Sequence, residues 1–185
     1  MSLEKLILLI EGVNMTKVEV KLMLENTKDL PIWVKWFLDR YDYNENNFEN
    51  DKELSKGWHW THLKYTTCKG SSRAWCAMSM NTALETNGIH GTGSAAASSF
   101  SKYGEPCGYK LGAILPILHP SKKHHVNIFI KWHDEKNMLA WCLGGNQGDS
   151  INLGIYNLSG NAHGHDEVMR GGPRFPGLKN YEYSI

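Results

Sequence analysis

Three residues of this chain have the types and the spacing for nucleophilic chemistry: Cys76, His125 and Asn146. Cys76 lies in Ser71-Ser72-Arg73-Ala74-Trp75-Cys76-Ala77-Met78, which reads as a helix start. Ser72 is the expected N-cap, its hydroxyl accepting from an otherwise unpaired backbone N–H. Ala77, Met78, Met80, Ala83 and Leu84 carry a helical apolar pattern, and Gly88 is the expected stop. A thiol in the first helical turn faces the positive end of the dipole, which lowers its pKa toward the thiolate. The plainer reading of Cys76 is a small buried hydrophobe, as most free cysteines are.

The segment from His125 to Trp132 reads as a strand, Asp134-Glu135-Lys136-Asn137 as a turn, and 138–143 as the returning strand. A turn centred between Glu135 and Lys136 sets His125 opposite Asn146, side chains on one face and Cβ atoms about 5 Å apart. An amide oxygen at that distance holds an imidazole N–H and fixes the tautomer. A register slip of one residue would turn Asn146 to the other face. Taken singly, His125 reads as a strand-end surface histidine and Asn146 as a turn residue. Together with Cys76 they form an orienter, a base and a nucleophile.

These residues need a scaffold, and the chain supplies one in order. Residues 17–24 read as an edge strand or an appended segment. Pro31 opens a helix whose Trp33, Trp36, Phe37 and Tyr41 form an apolar stripe. Residues 42–57 are rich in Asn, Asp, Glu and Lys and read as a solvated loop. Trp58-His59-Trp60-Thr61-His62 reads as an exposed aromatic loop near a cleft. Thr92 is the expected cap of a small-residue helix over 94–100, with Gly104 ending it. From residue 109 strands take over. Pro116 interrupts the apolar run 111–118, which suggests an edge or a bulge. Residues 151–156 form a further short strand. The expected fold class is therefore α+β, in one domain over 29–185 behind an N-terminal extension over 1–28.

Composition narrows the function classes. A formal net charge of +1 gives no argument for nucleic acid or an anionic membrane as partner. The apolar run Leu6-Ile7-Leu8-Leu9-Ile10 is too short for a membrane span. Its flanking Glu4 and Glu11 and the lack of a small-residue cleavage site argue against a signal peptide. The expectation is a protein made in the cytoplasm that reaches any external target by another route. Cys68, Cys76, Cys107 and Cys142 contain no C-x-x-C pair, which argues against a structural zinc site. A Cys68–Cys107 disulfide is one option in an oxidising compartment.

Four motifs occur in order: Ala74-Trp75-Cys76-Ala77, Gly88-Ile89-His90-Gly91-Thr92-Gly93-Ser94-Ala95, His125-Val126, and Leu143-Gly144-Gly145-Asn146-Gln147-Gly148-Asp149-Ser150-Ile151-Asn152. In this the chain resembles, over roughly residues 30–176, bacterial and phage cell-wall cysteine peptidases related to the NlpC-type and CHAP domains. It also looks like some amidase effectors of type VI secretion. The resemblance implies a papain-like fold, N-terminal helices packed on an antiparallel sheet. It implies Cys76 as nucleophile, His125 as base, and Asn146 or Gln147 as the third polar group. Tyr65, Trp75 and Gln147 would then lie on the substrate side, with the Cys76 N–H as one oxyanion donor and Tyr65 as a second. The implied substrate is the peptide part of bacterial peptidoglycan, cut in the wall or periplasm after secretion-system delivery or lysis. No metal or organic cofactor is implied, and an injected effector would be matched by an immunity or inhibitor protein. The sequence departs from those families at His124, at Leu111-Gly112-Ala113, and in having Trp75-Cys76-Ala77 for Asp-Cys-Ser.

Two other classes compete. His163-Gly164-His165-Asp166 has zinc-ligand types, and a zinc peptidase would need a third ligand such as His59, His62 or His133. A non-catalytic wall-binding module would use the Trp-rich loop alone.

Overall fold

The computed structural model describes residues 14–55 and 74–181. Ser71 to Arg73 with the expected cap Ser72, the aromatic loop at 58–62, Tyr65 and Cys68 lie outside the described residues. The expected α+β arrangement is what the structure shows, helices laid on an antiparallel sheet.

The first described helix, α1, spans Lys17–Glu25. Here the expectation of an edge strand is corrected. Thr16 and Glu19 form a capping box, each side chain bonding the other's backbone N–H, which satisfies two donors the first turn leaves unpaired. Val20 and Leu24, one turn apart, are fully buried in the main core. Helix α2, Ile32–Leu38, follows Pro31 as expected and buries Trp33, Val34, Trp36 and Phe37. The Trp33 indole donates to the Gly112 carbonyl at 3.0 Å, tying α2 to the sheet. The expected solvated loop over 42–57 is also corrected, since it contains helix α3, Phe48–Ser55. Asn47 starts that helix, its Oδ1 accepting from the Glu49 and Asn50 N–H groups.

Helix α4, Cys76–Glu85, is buried from Cys76 to Leu84. Its polar side chains are satisfied locally: Ser79 donates to the Cys76 carbonyl, Thr82 to Met78, and Asn81 to Ala77 and Ser94. It ends in a Schellman pattern, with Ile89 N–H on the Leu84 carbonyl and Gly88 N–H on Glu85. Gly88 takes the left-handed conformation there (φ +69°), as its spacing predicts. The small-residue segment forms a 3₁₀ turn over Ala97–Lys102 rather than a helix from 94. Thr92 does not cap it: Ala96 holds the cap position, while the Thr92 hydroxyl bonds Asn81 and accepts from Ser94 N–H and Ser99 Oγ.

The strands are β1 (Glu105–Pro106), β2 (Ile114–Leu118), β3 (His124–Asp134), β4 (Leu139–Gly144), β5 (Asn152–Asn157), β6 (Glu167–Val168) and β7 (Arg174–Phe175). They run β1-β7-β2-β3-β4-β5, with β6 also paired to β2. β2 is thus internal, contrary to the expected edge. Pro116 is tolerated because its backbone faces away from β3, into the gap between β6 and β7, where its carbonyl accepts from Met169 N–H. One sheet face, with Val126, Ile128 and Ile130 of β3, meets the helices. The other, with Phe129, Ala140 and Cys142, forms a second apolar cluster.

The β3–β4 hairpin is not symmetric about Glu135 and Lys136. Asp134 pairs with Leu139, and two bulges then shift the register before Phe129 meets Cys142 and Ile128 meets Leu143. The register at the far end is therefore the expected one, reached by bulges rather than by a centred turn.

Candidate active site

Cys76 opens α4, and no side chain caps the helix there. Its backbone N–H and those of Ala77 and Val126 lie against the thiol. These donors favour a thiolate, but the side chain is only 2% exposed. Burial outweighs them and raises the thiol pKa, so the expected lowering is corrected. The helix start was legible, but the loss of water around the sulfur was not.

His125 lies near the start of β3 and pairs with Ile117 of β2. Its imidazole is half-buried, and burial pushes its pKa down to about 4 against the weaker opposing effect of a bond to Gln147. At neutral pH the ring is a neutral base. Its Nε2 faces Gln147 Oε1 at 3.3 Å.

The amide at the ring is therefore that of Gln147, one residue beyond the Asn146 expected there. β4 ends at Gly144, and Asn146 takes a left-handed conformation (φ +58°) that turns the chain. Gln147 is then swung back under His125 and is buried. Gly144 and Gly145 allow this close turn. A Cβ on Gly145 would collide with Ser79 Oγ and the Trp75 ring, and one on Gly144 with Asn127. Asn146 lines the cleft, with no hydrogen bond to His125.

Gln147 is held at every polar atom. Its Nε2 donates to the Asn152 carbonyl, and its Oε1 accepts from Tyr156 Oη at 2.8 Å and Asn127 Nδ2 at 3.4 Å. The Asn152 carbonyl only accepts, so it fixes which end of the amide is nitrogen. The oxygen then faces His125, and Nε2 of the ring must carry the proton. Nδ1 is left with a free lone pair, the state a general base needs. The Tyr156 ring stacks on His125 with centroids 5.9 Å apart and planes 5° from parallel. Tyr156 and Asn127 were missed by the sequence reading. Strand alternation puts Asn127 on the face of His125, a signal that was available, whereas Tyr156 arrives from two strands away.

Cys76, His125, Asn146, Gln147 and Tyr156 line one cleft of about 780 Å³. No hydrogen bond joins Cys76 to His125 in this resting arrangement. Trp75 is not at the cleft surface. It is fully buried and donates to Glu45 at 2.7 Å, which corrects the expectation that it touches substrate. Cys107 has a free thiol. Among the described residues no group of three or more His, Cys, Asp or Glu side chains is placed to hold a metal ion. His163 and His165 lie on a surface turn, with the third candidate ligands His59 and His62 outside the described residues.

No helix among the described residues is long and apolar enough to cross a membrane. No protein-family model matches the chain, and neither curated proteins nor solved structures give a match.

Proposed function

We propose that this protein is a papain-like cysteine hydrolase that cuts an amide bond in bacterial peptidoglycan peptides. The observation that carries the chemistry is the Gln147 amide, locked so that His125 keeps a bare Nδ1, with the histidine and Cys76 lining one cleft. The substrate class rests on the resemblance of the Trp-Cys-Ala and Leu-Gly-Gly-Asn-Gln motifs.

The resting pair is a neutral thiol and a neutral imidazole, since burial raises one pKa and lowers the other. His125 Nδ1 takes the Cys76 proton as sulfur attacks the carbonyl carbon, forming the C–S bond and a tetrahedral oxyanion. The N–H groups of Cys76, Ala77 and Val126, which lie against the sulfur, are the donors proposed to take up that charge. The oxyanion collapses, the C–N bond breaks, and the imidazolium gives its proton to the leaving amine. His125 then deprotonates a water that attacks the thioester, releasing the acid and restoring the thiol. Gln147 accepts from Nε2 throughout and stabilises the transient imidazolium.

Cys76→Ala is expected to abolish release of muropeptide fragments, read by mass spectrometry, while leaving the circular dichroism spectrum unchanged. Digestion at the parent rate would overturn the nucleophile. Retained activity in EDTA with loss to a thiol alkylator is the companion result. The reverse pattern, restored by zinc, would install the metal alternative.

A further inference from the structure

The two banks of the cleft carry opposite charge. The β2–β3 loop contributes His119, Lys122 and Lys123, and the first residue of β3 contributes His124. The β4–β5 loop contributes Asp149, and Glu45 is held beside it by an N–H bond to the Asp149 carbonyl. Both loops leave the same end of the sheet, on either side of the first residues of β3. Asp166 also borders the cleft on the His119 side, its carboxylate 3.9 Å from His119 Nε2, and burial raises its pKa. Glu45 is buried against Trp75, which leaves Asp149 as the exposed acid of its bank.

Backbone conformation singles out the same positions. Among the described residues five that are not glycine have positive φ, and three of them, Lys122, Asn146 and Asp149, line this cleft. An aspartate tolerates that conformation, a lysine less readily, and glycine would relieve both. The Lys122 turn is fixed by bonds from Lys122 N–H to the His119 carbonyl and from His119 N–H to Lys123. None of the ion pairs among the described residues includes Lys122, Lys123 or Asp149, so the fold leaves these charges facing the cleft unneutralised.

We propose that the cleft selects a zwitterionic peptide segment, with a carboxylate toward Lys122 and Lys123, an ammonium toward Asp149, and the scissile carbonyl between them at Cys76. Opposite charges on facing walls orient such a segment and reject its charge-reversed counterpart. The inference rests on the hydrolase reading for its chemistry, but the charge preference is testable without turnover.

Two measurements separate the failures. In the first, capped alanine hexapeptides carry Lys at the second position and Glu at the fifth, the reverse order, or norleucine and Gln, with cleavage read by mass spectrometry. One charged order is expected to exceed the neutral peptide in kcat/KM by about tenfold or more, equivalent to about 1.4 kcal/mol. The triple variant Lys122→Glu, Lys123→Glu, Asp149→Lys is expected to prefer the other order. In the second, Cys76 is alkylated by iodoacetate and iodoacetamide at low salt and mapped by peptide mass. Lys122→Gln with Lys123→Gln is expected to lower the iodoacetate-to-iodoacetamide rate ratio by about threefold or more, and Asp149→Asn to raise it. A ratio that moves this way keeps the charge assignment even where the peptides stay uncleaved, and the hydrolase falls only if muropeptide release fails as well. An unmoved ratio, or cleavage indifferent to charge order, would overturn the charge assignment alone.

Discussion

Gln147 illustrates how a single amide determines what a histidine does. With its nitrogen on the Asn152 carbonyl, its oxygen must face the ring, and His125 is held as the tautomer with Nδ1 free. Replacing Gln147 with Ala is expected to lower kcat/KM by about 10²-fold through loss of ring placement. Gln147→Glu tests the electrostatics separately. A carboxylate there favours the imidazolium, so the acid limb of the kcat/KM profile should move up from about 4. An unmoved limb would mean that His125 is not the titrating base. Stability should follow the same group. Its folded pKa lies below its ordinary value, so the unfolded chain binds the proton more readily. The contribution is therefore whole above about pH 6.5 and is lost as pH falls toward 4, amounting to about 1–2 kcal/mol allowing for the open ring face. Denaturant melts at intervals across that range, compared with His125→Asn, check the sign. At this scale the sequence brought Cys76, His125 and an amide together, as the cleft does, but put Asn146 rather than Gln147 on the ring. The ladder stops at Gly144, so strand pairing pointed to Asn146, and Gln147 entered only as the alternative that the resemblance implied.

The strands and helix around the site explain why the Gly-Gly-Asn-Gln segment has its composition. Gly145 lies where the end of β4 passes the start of α4, and any side chain there meets Ser79 and Trp75. Gly145→Ala is expected to destabilise the fold by about 2 kcal/mol and to lower activity more than stability alone accounts for, since it displaces Cys76 and Gln147 together. Melting temperature and kcat/KM measured on the same preparation check this. A variant that melts normally and turns over normally would mean the approach is looser than the structure has it. Element types were legible where one signal dominated, as in Pro31 before α2 and Gly88 after α4. They were not where signals competed. The Val18, Val20 and Leu22 alternation masked the Thr16–Glu19 capping box, and the density of Asn and Glu masked the α3 helix behind Asn47. The β3–β4 register was right at its far end only because two bulges compensated an off-centre turn.

For the whole molecule, the sheet order decides what the cleft becomes. Tyr156 stacks on His125 because β5 lies beside β4, and strand order is set by long-range pairing that local sequence does not encode. The proposed chemistry also makes a prediction about place. A hydrolase of wall peptides has no target in the cytoplasm, whereas the same protein in the periplasm meets its substrate directly. Expression in a Gram-negative bacterium is therefore expected to be tolerated when the chain stays in the cytoplasm and to cause lysis when a periplasmic leader is attached, with Cys76→Ala harmless in both places. An inhibitor protein matched to an injected effector would block the lysis by covering the cleft, and the charged banks at Lys122 and Asp149 offer it polar contacts. Optical density after induction, with and without the leader, reads the result. Equal toxicity in both compartments would remove the wall as substrate, because a cytoplasmic target would then account for the damage while leaving the Cys76–His125–Gln147 chemistry to find another amide.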